Sequence, residues 1–210
     1  MDRKTTIRQN NKIRFSLGIC VFVLWGIFLI TVATFTQITL TKIGLPTFLL
    51  KRITTIDYTN CCKYIPQIPV VLFVASMLGR KYGFIAISLY ILLGLFFVPI
   101  FALGGGPSYL FKYTFGFILA YIPSGFVVST ILCKYNNFKS YVQSAVIGVL
   151  MIHIIGILYM MTVLMFKHES FSYISNWLSS SSGIKIFYDI IFSLIAVIIG
   201  KAIKTLYLEK

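Results

Sequence analysis

The chain has 210 residues, of which 58% are hydrophobic and 11% are charged, and its formal net charge at pH 7 is +14. A soluble domain has about 25% charged residues and could not hide so much apolar surface, so the composition excludes an ordinary soluble protein. The lysines and arginines lie mostly in gaps between apolar runs, where they anchor and orient membrane helices. We therefore expect the lipid bilayer as the surroundings of the chain and no nucleic-acid partner.

Six apolar segments are interpreted as membrane helices, because each ends at charged residues, glycine, proline or a serine and asparagine cluster. In chain order they cover about residues 15–36, 64–79, 82–102, 114–133, 141–166 and 184–207. The second is short and begins with two prolines, which favours a broken helix with irregular backbone at its outer end. The predicted fold class is an all-α membrane protein, with a tail (1–14), a six-helix transmembrane domain (15–207) and a C-terminal end (208–210).

The distribution of basic residues indicates how these helices cross the membrane. With the N-terminus inside, the inner segments hold twelve lysines and arginines and the outer segments hold seven. Cytoplasmic loops of membrane proteins carry an excess of lysine and arginine. Both termini are therefore predicted to be cytoplasmic, in a multi-pass protein of the cell membrane.

This orientation brings polar features that are far apart in sequence to the outer face. Gly104, Gly105 and Gly106 join the predicted third and fourth helices, Gln67 opens the second, and Asp189 lies near the outer start of the sixth. Helix ends and loop backbone commonly form small-molecule sites in membrane transporters. We therefore predict an outward-facing ligand pocket at this end of the bundle.

Two stretches resemble the BioY family, the biotin-binding membrane subunits, or S components, of energy-coupling-factor vitamin transporters. They read YIPQIPVVLFVASMLGRKYGFIAISLYILLGLFFVPIFALGGG at 64–106 and YTFGFILAYIPSGF at 113–126. The resemblance weakens after about residue 135 and resumes around Asp189. It implies a six-helix bundle with an outward-facing biotin pocket. It also implies that the protein lies in the plasma membrane of a bacterium, that is, in its inner membrane.

The resemblance also implies partners for the chain. These are a transmembrane coupling protein and two cytoplasmic ATPases, with biotin as the transported ligand. It implies no cofactor and no enzymatic activity in this chain. The sequence agrees, because it lacks the G-x-x-x-x-G-K-[ST], H-E-x-x-H and G-x-S-x-G patterns.

The candidate ligand-binding residues are those expected near the pocket: Asp189, Gln67, Gly104, Gly105, Gly106, Tyr109, Lys112, Phe117, Tyr121 and Lys185. Asp189 is the only acidic residue inside an apolar run, and its carboxylate would accept hydrogen bonds from the ureido N–H groups of biotin. The glycines let backbone approach a ligand, and the Gln67 amide both donates and accepts. The aromatic rings would line the apolar part of biotin, and Lys112 would pair with its carboxylate.

Each of these candidates also has a plain structural alternative. The glycines can form a turn and nothing more, and the aromatic residues can belong to an interfacial belt. Lys112 can extend to the membrane surface. Asp189 can pair with Lys185 within the helix or contact another helix. His153, within the predicted fifth helix, fits either a proton relay or a hydrogen bond between helices.

Two features depart from the family pattern. Family members carry Asp-x-x-Lys at the start of the sixth helix, whereas here Phe192 follows Asp189 at that spacing. Lys185 precedes Asp189 by four residues on the same helical face and is the predicted substitute. The first helix has Phe22 between its glycines, in place of the small-residue surface that docks the coupling protein. The sequence therefore supports ligand binding more strongly than coupling-protein docking.

Other functions stay open on the residues alone. An S component for thiamin or riboflavin would differ in which vitamin competes for the site. An intramembrane enzyme needs paired catalytic groups, whereas Asp57 lies in a polar loop and Asp189 stands alone in its apolar run. An assembly factor would bind no small molecule.

Overall fold

The computed structural model describes residues 17–41, 61–167 and 185–208. Its α-helices are α1 (Leu17–Phe35), α2 (Gln67–Phe96), α3 (Phe115–Leu119), α4 (Tyr121–Lys134), α5 (Phe138–Phe166) and α6 (Lys185–Ile203). A 3-10 helix (Pro107–Phe111) precedes α3, and a π-helix (Lys204–Leu208) continues α6. The predicted tail 1–14 and the last two residues of the predicted C-terminal end lie outside the described residues.

Five segments of the described chain are long and apolar enough to cross a membrane. They are Leu17–Phe35, Gln67–Phe96, Phe115–Lys134, Phe138–Phe166 and Lys185–Tyr207. The predicted second and third helices, 64–79 and 82–102, correspond to the single segment of α2, but residues 64–66 and 97–102 of these predictions are not helical. The described part of the chain is thus mostly helical, with five rather than six candidate spans.

α2 is broken at Gly79, at the predicted boundary between those two helices. Gly79 has φ 74° and ψ −172°, which is not helical. The Gln67 side-chain amide donates to the Tyr90 hydroxyl at 2.9 Å, although a straight helix would separate residues this far apart in sequence by about 34 Å. A Cβ atom on Gly83 would lie 3.2 Å from the Cα of Ala75. The two halves of α2 therefore lie side by side as an antiparallel hairpin.

A two-stranded ribbon, which the all-α prediction does not include, connects the first helix to this hairpin. Strand β1 (Ile38–Thr41) pairs antiparallel with β2 (Cys61–Tyr64), and Ile38 lies opposite Tyr64. Since β1 follows α1 and β2 precedes α2, the ribbon holds Tyr64 directly beside the start of α2. Tyr64 is 1% exposed, so the ribbon places its side chain inside the protein.

The core is centred on the α2 hairpin, which packs against α1, α4 and α6. Val71, Leu72 and Val74 in its first half are fully buried. Gly200 lets α6 approach closely, because a Cβ atom there would overlap the Ser76 side chain and lie 2.7 Å from the carbonyl oxygen of Phe73. This packing fixes α6 against the helix that begins at Gln67. Large apolar side chains remain exposed along α1 and α5, which suits contact with lipid.

Replacing Gly79 with alanine is expected to lower the free energy of unfolding by about 1–3 kcal/mol, because its backbone conformation is one that only glycine adopts readily. Gly18→Ala, at an exposed position of α1, is the matched control and should change stability by less than about 0.5 kcal/mol. Thermal unfolding in detergent, followed by fluorescence, measures both. Equal effects at the two positions would show that the hairpin does not depend on Gly79.

Candidate functional site

A cavity of about 370 Å³ opens among the ribbon, the 3-10 helix and the ends of the long helices. Pockets for small molecules have volumes of roughly 300–1,000 Å³. The cavity is lined by Tyr64, Ile65, Gln67, Ile68, Ala102, Leu103, Tyr109, Thr114, Phe117, Ile118, Tyr121, His153, Lys185 and Asp189. Its walls thus combine aliphatic and aromatic side chains with a small number of polar groups.

The carboxylate of Asp189 needs hydrogen-bond partners within the protein, because the residue is only 3% exposed and has little access to water. The Tyr64 hydroxyl donates to its Oδ1 at 2.7 Å, and His153 Nε2 lies 3.2 Å from its Oδ2. Burial, and next the charge of Asp189, raise the pKa of the Tyr64 hydroxyl well above its ordinary value, so this hydroxyl remains a donor. The two oxygens of Asp189 are therefore held by partners from two other elements, β2 and α5.

Aromatic contacts fix both partners of Asp189. The Tyr64 ring lies 5.5 Å from the ring of Phe192, centroid to centroid, and the His153 ring meets the edge of Phe117 at 5.8 Å. Phe192 occupies the position where the family pattern has lysine. In this chain that position supports the tyrosine that bonds Asp189, and the second carboxylate oxygen of Asp189 contacts His153 Nε2 rather than Lys185.

A second polar network orients Gln67. Its side-chain amide donates to the Tyr90 hydroxyl, which lies 3.1 Å from the Thr34 hydroxyl of α1. The Tyr90 ring also meets Phe101 at 5.6 Å, in the segment that follows α2. Because Tyr90 is fully buried, these contacts tie α1, both halves of α2 and the following segment together at the cavity.

The segment between α2 and α3 closes another side of the cavity. Tyr109 is 2% exposed, packs on Phe101 at 4.8 Å and lies 3.2 Å from the Thr114 hydroxyl. Burial raises the pKa of the Tyr109 hydroxyl, which stays protonated at neutral pH. The Tyr159 hydroxyl of α5 donates to the carbonyl oxygen of Leu110 and so holds the 3-10 helix against α5.

Six of the ten residues predicted from the sequence line this cavity: Asp189, Gln67, Tyr109, Phe117, Tyr121 and Lys185. The sequence does not distinguish Tyr64, since nothing separates it from the twelve other tyrosines. For His153 the sequence predicts only a relay or an interhelical contact. A histidine inside an apolar helix usually faces a polar partner. In the structure the partner of His153 is Asp189.

The other four predicted residues, Gly104, Gly105, Gly106 and Lys112, are not among the lining residues. Gly104 and Gly106 have φ of 106° and 90°, and the Gly106 N–H donates to the Gly94 carbonyl oxygen at 2.9 Å. A Cβ atom on Gly105 would lie 2.6 Å from the Cα of Pro99. The glycines therefore form a tight turn packed on the end of α2, next to the lining residue Leu103. Lys112 is exposed at the end of the 3-10 helix.

The fold and the site together define a multi-pass membrane protein with a cavity lined by a buried aspartate. Residues 8–209 match the model of the BioY family. The chain belongs to this family, which confirms the resemblance found in its sequence.

Relatives of known name support this assignment over part of the chain. The biotin transporter BioY of Thermotoga maritima is 35% identical over 92 residues, which are 43% of this chain and 54% of that protein. A protein of Lysinibacillus sphaericus named as a probable biotin transporter BioY is 27% identical over 100 residues, 47% of this chain and 51% of that protein. The chain thus spans about half the length of these two relatives.

A solved structure shares the fold over most of the chain. It is the crystal structure of the S component for biotin from an ECF-type ABC transporter, with a TM-score of 0.63 and 19% sequence identity. The superposition covers 90% of this chain and 91% of that one. At this level of identity the likeness establishes the common fold.

Tyr64→Phe is expected to lower the free energy of unfolding by about 1–3 kcal/mol, because it removes a hydrogen bond from a buried carboxylate. Tyr141→Phe is the matched control, since its hydroxyl bonds Asn136 at an exposed site, and should cost less than about 0.5 kcal/mol. Thermal unfolding in detergent compares the two variants. Equal stability losses would contradict a special role for the Tyr64–Asp189 contact.

Proposed function

We propose that this chain binds biotin in the cavity around Asp189 and serves as the substrate-binding S component of a biotin uptake system. The observation that carries this proposal is a buried carboxylate, fixed by two partners, facing a cavity of about 370 Å³ in a member of the BioY family. The names of the relatives and of the structural neighbour support the same ligand.

The polar end of the cavity suits the ureido ring of biotin. An ionised carboxylate oxygen accepts more than one hydrogen bond, so Asp189 retains acceptor capacity beyond its contacts with Tyr64 and His153. The two ureido N–H bonds diverge on either side of the ring carbonyl. We therefore assign one of them to Asp189 and the other to a second acceptor of the lining, the side-chain oxygen of Gln67 or Thr114.

The remaining wall suits the rest of the ligand. Ile68, Leu103, Phe117 and Ile118 line the cavity and would bury the sulfur-containing ring and the aliphatic chain of biotin. For the carboxylate at the end of that chain we assign Lys185, which lines the cavity, in place of the exposed Lys112.

In this proposal the two halves of α2 count as separate helices, which gives a bundle of six with both termini in the cytoplasm. The break at Gly79 lies at the cytoplasmic end, because the basic residues Arg80 and Lys81 follow it and a Cβ there would lie 3.0 Å from Lys204 Nζ. The cavity then faces outward. The protein would lie in the plasma membrane of a bacterium and dock with a coupling protein and ATPases, and it would itself catalyse no reaction.

Asp189→Asn is expected to weaken biotin binding about 5- to 150-fold, because it leaves a ligand donor without its acceptor at a cost of about 1–3 kcal/mol. Lys139→Gln, which removes a charge at an exposed position of α5 outside the cavity lining, should retain wild-type affinity. Binding of radiolabelled biotin to each purified variant, at matched protein amounts, measures the effect.

Two outcomes would contradict the proposal in different ways. Wild-type affinity in Asp189→Asn would remove Asp189 from the binding site while leaving biotin as the ligand. A wild-type protein that is folded but retains no radiolabelled biotin would exclude the proposed function itself.

A further inference from the structure

A chain of hydrogen bonds runs from the Thr34 hydroxyl of α1 towards the cavity. Thr34 Oγ1 donates to the carbonyl oxygen of Ile30 in its own helix at 2.8 Å. A hydroxyl group has one proton to donate, so Thr34 accepts from the Tyr90 hydroxyl, which lies 3.1 Å away. Thr34 is 2% exposed and Tyr90 is fully buried, so water does not replace either partner.

The direction of this chain fixes the side-chain amide of Gln67. Tyr90 gives its one proton to Thr34, since its contact with the Ile100 carbonyl oxygen is longer, at 3.5 Å. The Tyr90 oxygen therefore accepts from Gln67 Nε2, at 2.9 Å. The nitrogen and the oxygen leave the amide carbon in different directions, so Gln67 Oε1 is left to accept from a ligand in the cavity that this residue lines.

The other candidate acceptor, Thr114, has no such fixed direction. Its hydroxyl lies 3.2 Å from the Tyr109 hydroxyl, and either of the two oxygens can be the donor. Thr114 can thus meet a ligand as a donor or as an acceptor, whereas the Gln67 oxygen can only accept. A ligand that brings an N–H group therefore finds the matching polarity already set at Gln67.

We propose that Thr34 and Tyr90 are positioning residues that hold the Gln67 amide with its oxygen available, and that this oxygen accepts the second ureido N–H of biotin. The proposal rests on the proposed function for the identity of the ligand. Neither Thr34 nor Tyr90 is among the cavity-lining residues of the described chain, so both act through Gln67. A ligand with an acceptor in place of this N–H is disfavoured, because two oxygens would face each other.

Loss of the Thr34 hydroxyl would remove the reason for this orientation. The buried Tyr90 hydroxyl would then need another acceptor, and the Gln67 oxygen reaches it when the amide turns over. The amide nitrogen would face the ligand N–H, so two donors would meet and the ligand would have to turn the amide back. We expect binding to weaken about 2- to 12-fold, which corresponds to one hydrogen bond.

Calorimetric titration of the full-length protein with biotin tests the proposal with three variants of α1. Thr34→Val keeps the shape of the side chain but removes the hydroxyl, and we expect the weakened binding. Thr34→Ser restores a hydroxyl and should bind with wild-type affinity. Thr31→Val is the matched control, because the Thr31 hydroxyl donates to the Ile27 carbonyl oxygen within α1, and it should also retain wild-type affinity.

A double-mutant cycle separates positioning from a general loss of packing. Gln67→Met keeps about the length of the side chain but has no amide to orient, so Thr34→Val should cause no further loss of affinity in this background. Tyr90→Phe breaks the same chain of hydrogen bonds at its next member. It is expected to weaken biotin binding by a similar factor, again without further loss in Gln67→Met, so the test does not depend on one substitution.

The outcomes distinguish this proposal from the proposed function. Wild-type affinity in Thr34→Val and Tyr90→Phe, failure of Thr34→Ser to restore binding, or equal losses in the wild-type and Gln67→Met backgrounds would overturn the positioning role and leave biotin as the ligand. A folded wild type that does not bind biotin would overturn both.

Discussion

A carboxylate buried among apolar helices is the constraint on which the site depends. An ionised aspartate inside a membrane protein is stable only where other groups replace water around it. Asp189 has two such groups, the Tyr64 hydroxyl and the His153 ring, and they arrive from the ribbon and from α5. Three separate parts of the chain must therefore meet at one point. The cavity lies where they meet.

The rest of the fold can be understood as the means of holding these parts together. The break at Gly79 turns α2 back on itself, so that Gln67 and Tyr90 bond each other and Thr34 joins from α1. Gly200 allows α6 to lie against the first half of that hairpin, which sets the position of Asp189. The polar contacts are few, but each one links elements that are distant in sequence.

The part of this arrangement that depends on local composition was predictable. The apolar runs, the interruption near Gly79 and the unusual acidic residue Asp189 are visible in the sequence, because each contrasts with its immediate neighbours. The family was also recognisable, and the match over residues 8–209 agrees with it.

The part that depends on contacts between distant elements was not predictable in the same way. Strands of four residues separated by residues 42–60 give too short a pattern to indicate the ribbon, so the role of Tyr64 could not be seen. The flexibility of the three glycines predicts a ligand-lining turn, whereas the close packing of this turn on Gly94 and Pro99 appears only in three dimensions. The sequence favours Lys112 as the partner of a ligand carboxylate and Lys185 as the partner of Asp189, and only the three-dimensional arrangement places Lys185, and not Lys112, in the lining of the cavity.

The most direct test of the account is a calorimetric titration of the purified wild-type chain with biotin, repeated in the presence of excess thiamin or riboflavin. The account predicts saturable binding of one biotin per chain that neither competitor reduces. Absence of binding to folded protein, or displacement of biotin by either of the other vitamins, would contradict it.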